Sequence, residues 1–122
     1  INGVAVPLAD QWVLTPEEQE AVATATASYN QTIAALAESY GLALVDANAY
    51  LVTLNETGIP LNDGSLVTSE YGTGGGFSLD GVHPSPRGNA LLANLFLEAI
   101  EAKYGAVLPE LDPLAYTGLY IN

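Results

Sequence analysis

Hydrophobic positions recur with helical spacing in the first third, the middle and the last third of the chain, and one short apolar run interrupts them. The first helical stretch opens at Thr15-Pro16-Glu17-Glu18: a capping hydroxyl, proline at the first helical position, and Glu18 placed to reach back to the cap amide. Val22, Ala25, Tyr29, Ile33, Leu36 and Tyr40 then follow at spacings of three and four, one apolar stripe that ends where Gly41 permits a left-handed exit. A helix is predicted from about residue 16 to 40. Leu42-Ala43-Leu44-Val45 comes next, apolar on both faces and closed by Asp46, a pattern that predicts a buried strand of a parallel sheet. Asp46 or Asn48 then caps a second, shorter helix through Leu51 and Leu54.

From Asn55 to Gly76 the chain is turn-rich, with Gly58, Pro60, Asn62-Asp63-Gly64 and the run Gly72-Thr73-Gly74-Gly75-Gly76. This predicts a long loop with one small hairpin around Asp63-Gly64. The last helix begins at Ser85-Pro86, again a cap followed by proline, and runs through Leu91, Leu92, Leu95, Phe96 and Ile100 to Lys103-Tyr104-Gly105. Its apolar surface is broad and calls for cover on more than one side. The tail, with Pro109, Pro113 and Tyr116, reads as an extended strap. Helix, strand, helix, loop, helix is half of an α/β layer arrangement. One strand makes no sheet, so either residues 42–46 join strands from elsewhere or the fold is helical with little sheet.

Charge narrows the partners. Fourteen acids face two bases, Arg87 and Lys103, for a net charge of −12. Nucleic acid and anionic membrane surfaces are disfavoured, and no apolar run approaches the roughly 20 residues of a membrane span. The 122 residues lack cysteine, which removes disulfides and thiolate chemistry. At this length, 49% hydrophobic, residues 1–122 are expected to form a single domain or a piece of one. Scarce bases and a pI near 4.1 suit an exported, secreted or cell-surface bacterial protein. No export signal follows Ile1, and a chain that starts without Met is expected to be processed or incompletely represented.

The single histidine, His83, lies in Phe77-Ser78-Leu79-Asp80-Gly81-Val82-His83-Pro84-Ser85-Pro86-Arg87-Gly88. A histidine is the natural general base near neutral pH, and an acid three residues earlier, across a turn, can accept its Nδ1 proton and leave Nε2 for a serine hydroxyl. The plainer reading is a turn at Asp80-Gly81 with His83 beside a helix cap. Spacing alone favours the turn, because short motifs often match by chance. The glycine run lacks the Lys-Ser/Thr of a phosphate cradle and fits a lid or a close backbone approach. Glu17, Glu18 and Glu20 suit the positive end of a helix, and Asp63 with Asn62 and Glu70 lacks calcium-ligand spacing. Asn30-Gln31-Thr32 and Asn55-Glu56-Thr57 are glycosylation sequons where the source modifies them. Trp12 and the seven tyrosines read as core and edge residues. Arg87, in a first turn, opposes the dipole preference and is expected to pair with an acid.

Asp80-Gly81-Val82-His83-Pro84-Ser85, with Gly88 and a long apolar helix after it, resembles the last block of the GDSL or SGNH hydrolases, which carries Asp-x-x-His. Leu14 to Gln19, Tyr29-Asn30, Gly41 to Ala49 and Gly74 to Gly88 are similar to the carboxy-terminal third of a secreted bacteroidal subgroup. The resemblance implies the carboxy-terminal part of a flavodoxin-like three-layer α/β/α domain, its parallel sheet completed by residues outside the chain. It also implies a serine esterase or lipase acting on esters of lipids, acylated sugars or small alcohols, with His83 as general base, Asp80 as its orienting carboxylate, and no cofactor or metal. The family's Gly-Asp-Ser nucleophile block and its Gly-x-Asn-Asp oxyanion block do not occur here, and none of the serines at 28, 39, 65, 69, 78 and 85 follows Gly-Asp. Ser85 reads as a helix cap. The nucleophile is therefore expected from an amino-terminal remainder or a second chain. A non-catalytic binding or surface module on the same fold is the alternative, and a helical structural domain with a chance Asp-x-x-His is the third reading.

Overall fold

Caps decide where the helices begin and end. In the computed structural model, which describes residues 1–119, helix α1 spans Pro16–Tyr40. Thr15 Oγ1 accepts from the Glu18 amide, Glu18 Oε2 accepts from the Thr15 amide at 2.8 Å, and Gly41 leaves the helix at φ +64°. Helix α2 (Ala47–Glu56) starts on Asp46, whose carboxylate takes the Ala49 amide at 2.9 Å. Helix α3 (Pro86–Tyr104) starts on Ser85, which takes the Gly88 amide, and stops at Gly105. These bounds match the sequence expectation.

The chain divides into residues 1–42 and residues 43 onward. In the first unit the α1 stripe is exposed at Val22, Tyr29, Ile33, Leu36 and Tyr40, and Ala37 is buried. Trp12, in a short 3₁₀ turn, is 71% exposed, so it is no core residue here. Tyr120 lies outside the described residues.

In the second unit, β1 (Ile59–Pro60) and β2 (Leu66–Val67) pair antiparallel around Asn62-Asp63-Gly64, the predicted hairpin. Asp63 Oδ1 shapes that turn by accepting the Ser65 amide at 2.9 Å and the Ser65 hydroxyl at 2.6 Å. Leu54 of α2, Val67 of β2 and Leu91 of α3 form the core, with Tyr50, Ile59, Leu61 and Phe77 packed on it. The tail returns along α3 and includes a 3₁₀ turn at Pro113–Ala115.

The chain is thus a mixed helix-and-strand structure, but the strand expected over Leu42–Val45 does not form among the described residues. A strand needs a hydrogen-bonded neighbour, and this run has none among the described residues: the Leu42 amide donates back to Ala37 O at the end of α1, and the Ala43 amide donates to the Tyr104 hydroxyl at 3.0 Å. Leu42 and Leu44 remain about half exposed. No described helix is long and apolar enough to cross a membrane.

Candidate functional site

The loop between the glycine run and α3 is built to present one side chain. Gly74, Gly75 and Gly76 are buried, and the backbone threads past Thr68: the Thr68 amide donates to Gly74 O, and the Gly76 amide to Thr68 O. A β-carbon at Gly76 would lie 2.7 Å from Thr68 O, a separation real side chains do not tolerate. The run is therefore a close backbone approach. Ser85, fully buried, joins it to α3: its amide donates to Gly76 O, and its hydroxyl donates to Gly75 O while accepting from the Gly88 amide.

On this seat stands a tight turn. Phe77 bridges Pro84, the Ser78 amide donates to His83 O at 2.8 Å, and the Gly81 amide donates to Ser78 O with Gly81 at φ +72°. Tyr71 braces the turn through its hydroxyl, which donates to Leu79 O at 2.7 Å. Inside it, Asp80 Oδ1 accepts the Ser78 hydroxyl at 2.7 Å and the Val82 and His83 amides at 2.9 Å each. Oδ2 lies 2.7 Å from His83 Nδ1.

The Val82 amide most strongly, then the His83 ring, the His83 amide and the Ser78 hydroxyl, holds the Asp80 carboxyl well below the usual carboxylate range. An ionised carboxylate can only accept, so Nδ1 is the donor in this contact, and in the tautomer it selects Nε2 is the acceptor. The His83 side chain is 80% exposed, and Nε2 makes no hydrogen bond among the described residues. Such an imidazole can take a proton from a group brought against it.

Sequence reasoning paired Asp80 with His83 but missed Ser78 and Tyr71. The legible signal for Ser78 was Ser-x-Asp-Gly, a hydroxyl two residues ahead of a turn carboxylate. Tyr71 carried no local signal. Arg87 departs from expectation. No carboxylate lies within ion-pair distance of it among the described residues, and its Nε donates to Pro113 O and Tyr116 O, both at 3.2 Å. Backbone carbonyls of the returning tail occupy the place where an acid was expected. A cavity of about 200 Å³ between Ile59, Leu95, Glu98 and Leu114 includes no residue of the 77–84 turn.

A family model described as GDSL-like Lipase/Acylhydrolase matches residues 2–96. No curated protein and no solved structure matches the chain.

Proposed function

We propose that this chain, which belongs to the GDSL-like lipase/acylhydrolase family, supplies the histidine and aspartate of a serine ester hydrolase. His83 is the general base and Asp80 the carboxylate that fixes its tautomer. The observation that carries the reading is the 2.7 Å Nδ1 to Oδ2 contact, with the other carboxylate oxygen held by three donors. In the reaction, a serine hydroxyl oxygen attacks the ester carbonyl carbon while Nε2 takes its proton. Nε2 returns that proton to the departing alcohol, and the acyl group stays on the serine. Water repeats the step, its proton passing to Nε2 and back to the serine as the acid leaves.

Nucleophile and oxyanion donors come, in this reading, from an amino-terminal remainder of the same domain or from a second chain. The half-exposed Leu42–Val45 run, apolar on both faces, supports a place for it as a parallel strand in a three-layer sheet completed by that segment. The acidic, lysine-poor composition supports an exported location. The test is hydrolysis of a short activated ester by the complete protein, compared with His83→Ala and Asp80→Asn. Loss of turnover in His83→Ala upholds the reading. Unchanged turnover in both variants would leave a binding or surface module on this fold.

A further inference from the structure

Three side chains of α3, spaced seven residues apart, hold the returning tail by its main chain. Glu101 Oε1 accepts the Leu108 amide at 2.6 Å. Asn94, buried, takes the Leu111 amide at 2.9 Å and gives its own amide to Leu111 O at 2.8 Å. Arg87 Nε donates to Pro113 O and Tyr116 O, and the Arg87 amide donates to Thr117 O at 3.0 Å. Seven residues are nearly two helical turns, so the three form one stripe, and the tail runs along it from the end of α3 to its beginning.

The tail ends on the seat of the Asp80–His83 turn. Gly118 is buried, and a β-carbon there would lie 2.8 Å from Arg87 Cδ and 2.9 Å from Nε. A β-carbon on Gly75 would meet Gly118 O at 3.5 Å, so the tail passes within one side-chain carbon of the glycine run. Gly75 O is the acceptor of the Ser85 hydroxyl, and Ser85 stands two residues beyond His83. Arg87 itself stands two residues beyond Ser85, in the first turn of the same helix.

We infer that Arg87 is a positioning residue for His83: by holding residues 113–118 beside Gly75, whose carbonyl takes the Ser85 hydroxyl, it fixes the seat on which the Asp80–His83 turn stands. This rests on the hydrolase reading for its consequence in turnover, but not for its consequence in geometry. A cation in the first turn of a helix opposes the dipole, and the carbonyls of the tail supply the compensating partners. The carboxy-terminal segment is then part of the site's scaffold.

The experiment compares Arg87→Ala, Arg87→Lys, Gly118→Ala and Glu101→Ala in the complete protein by two readouts. One is the ring-nitrogen NMR shifts of His83, assigned by their loss in His83→Ala. The other is ester turnover. Arg87→Ala and Gly118→Ala are expected to shift or broaden the His83 ring signals, and to lower kcat roughly 10- to 100-fold with KM unchanged, the scale of an ångström-size misplacement of a reacting group. Gly118→Ala made on top of Arg87→Ala adds less than it does alone, since the two nearest atoms it collides with, Arg87 Cδ and Nε, are gone and only Cβ, at 3.1 Å, is left. Arg87→Lys recovers part of the turnover. Glu101→Ala loosens only the far end of the tail and leaves the ring signals in place. His83 signals unchanged while the amides of residues 113–118 lose exchange protection in Arg87→Ala would overturn the inference. If the complete protein cleaves no ester with Arg87 in place, the hydrolase reading fails, and the NMR comparison alone decides this one.

Discussion

Replacing Gly88 by alanine sets two effects of opposite sign against each other. Gly88 sits in the first turn of α3, where alanine gains at most ~1 kcal/mol in helix propensity over glycine. Its helical backbone has no need of glycine, because its φ is not positive. The added β-carbon, however, would press far inside van der Waals contact on Gly76 O, with Gly76 C at 3.1 Å and Pro84 Cβ at 3.2 Å. A backbone carbonyl cannot swing aside as a side chain can. Overpacking of this kind costs about 1–3 kcal/mol. The displaced oxygen also accepts the amide of buried Ser85 at 3.0 Å, and weakening that bond adds about 1 kcal/mol. The clash wins: the packing cost and the weakened bond together, less the propensity gain, leave Gly88→Ala destabilised by roughly 2 kcal/mol net. Urea unfolding followed by circular dichroism measures this as a lower midpoint at unchanged slope. Gly64→Ala is the comparison: φ is +83° and nothing lies within 4 Å, so its cost, about 1 kcal/mol, comes from backbone conformation alone. A Gly88→Ala protein as stable as the parent would refute the close-approach argument for the whole seat.

His83→Ala should lower kcat of the complete protein by about 10³ or more, and Asp80→Asn by a similar or smaller factor, in steady-state ester hydrolysis. Residues 1–122 expressed alone should not be labelled stoichiometrically by a serine-reactive phosphonate, and should bind a hydrophobic dye because Val22, Tyr29, Ile33, Leu36 and Tyr40 are each half or more exposed; a sharp melt without dye binding would count against this. Asp80 has a folded value below its unfolded one, so its stabilising contribution is fully present above about pH 4 and is lost only as pH falls through the depressed folded value. Its carboxyl carbon should then show no NMR titration down to about pH 3. Ser78→Ala, which removes one donor to Oδ1, should move that titration back toward the ordinary value, and an unmoved curve would show that the backbone amides alone suffice.

Legibility followed the range of the interactions. Thr15, Asp46 and Ser85 announce helix starts because a cap is a contact over three residues, and Gly41 and Gly105 announce ends because the left-handed exit is a property of one residue. Asp63-Gly64 gave the hairpin for the same reason. The Asp80–His83 pair was readable because it too closes within one turn. Arg87 was misjudged because its partners lie 26 and 29 residues away, in a segment with no periodic pattern. Tyr71 was missed because a hydroxyl reaching a carbonyl eight residues on leaves no trace in spacing. Leu42–Val45 reads as a strand from its side chains, yet strand formation depends on a neighbour that the sequence of the run cannot specify.

The turn and the strap differ in when they can assemble. Every bond to the Asp80 carboxylate spans two or three residues, whereas the Arg87 side-chain bonds to the tail span 26 and 29. Loop-closure entropy makes the longer closure costlier by about 2 kcal/mol, taking 29 residues against three. Closures of the shorter kind take well under a microsecond. On a growing polypeptide, the imidazole and its carboxylate can therefore meet while residues 108–118 are still unmade, and docking of the tail onto α3 follows.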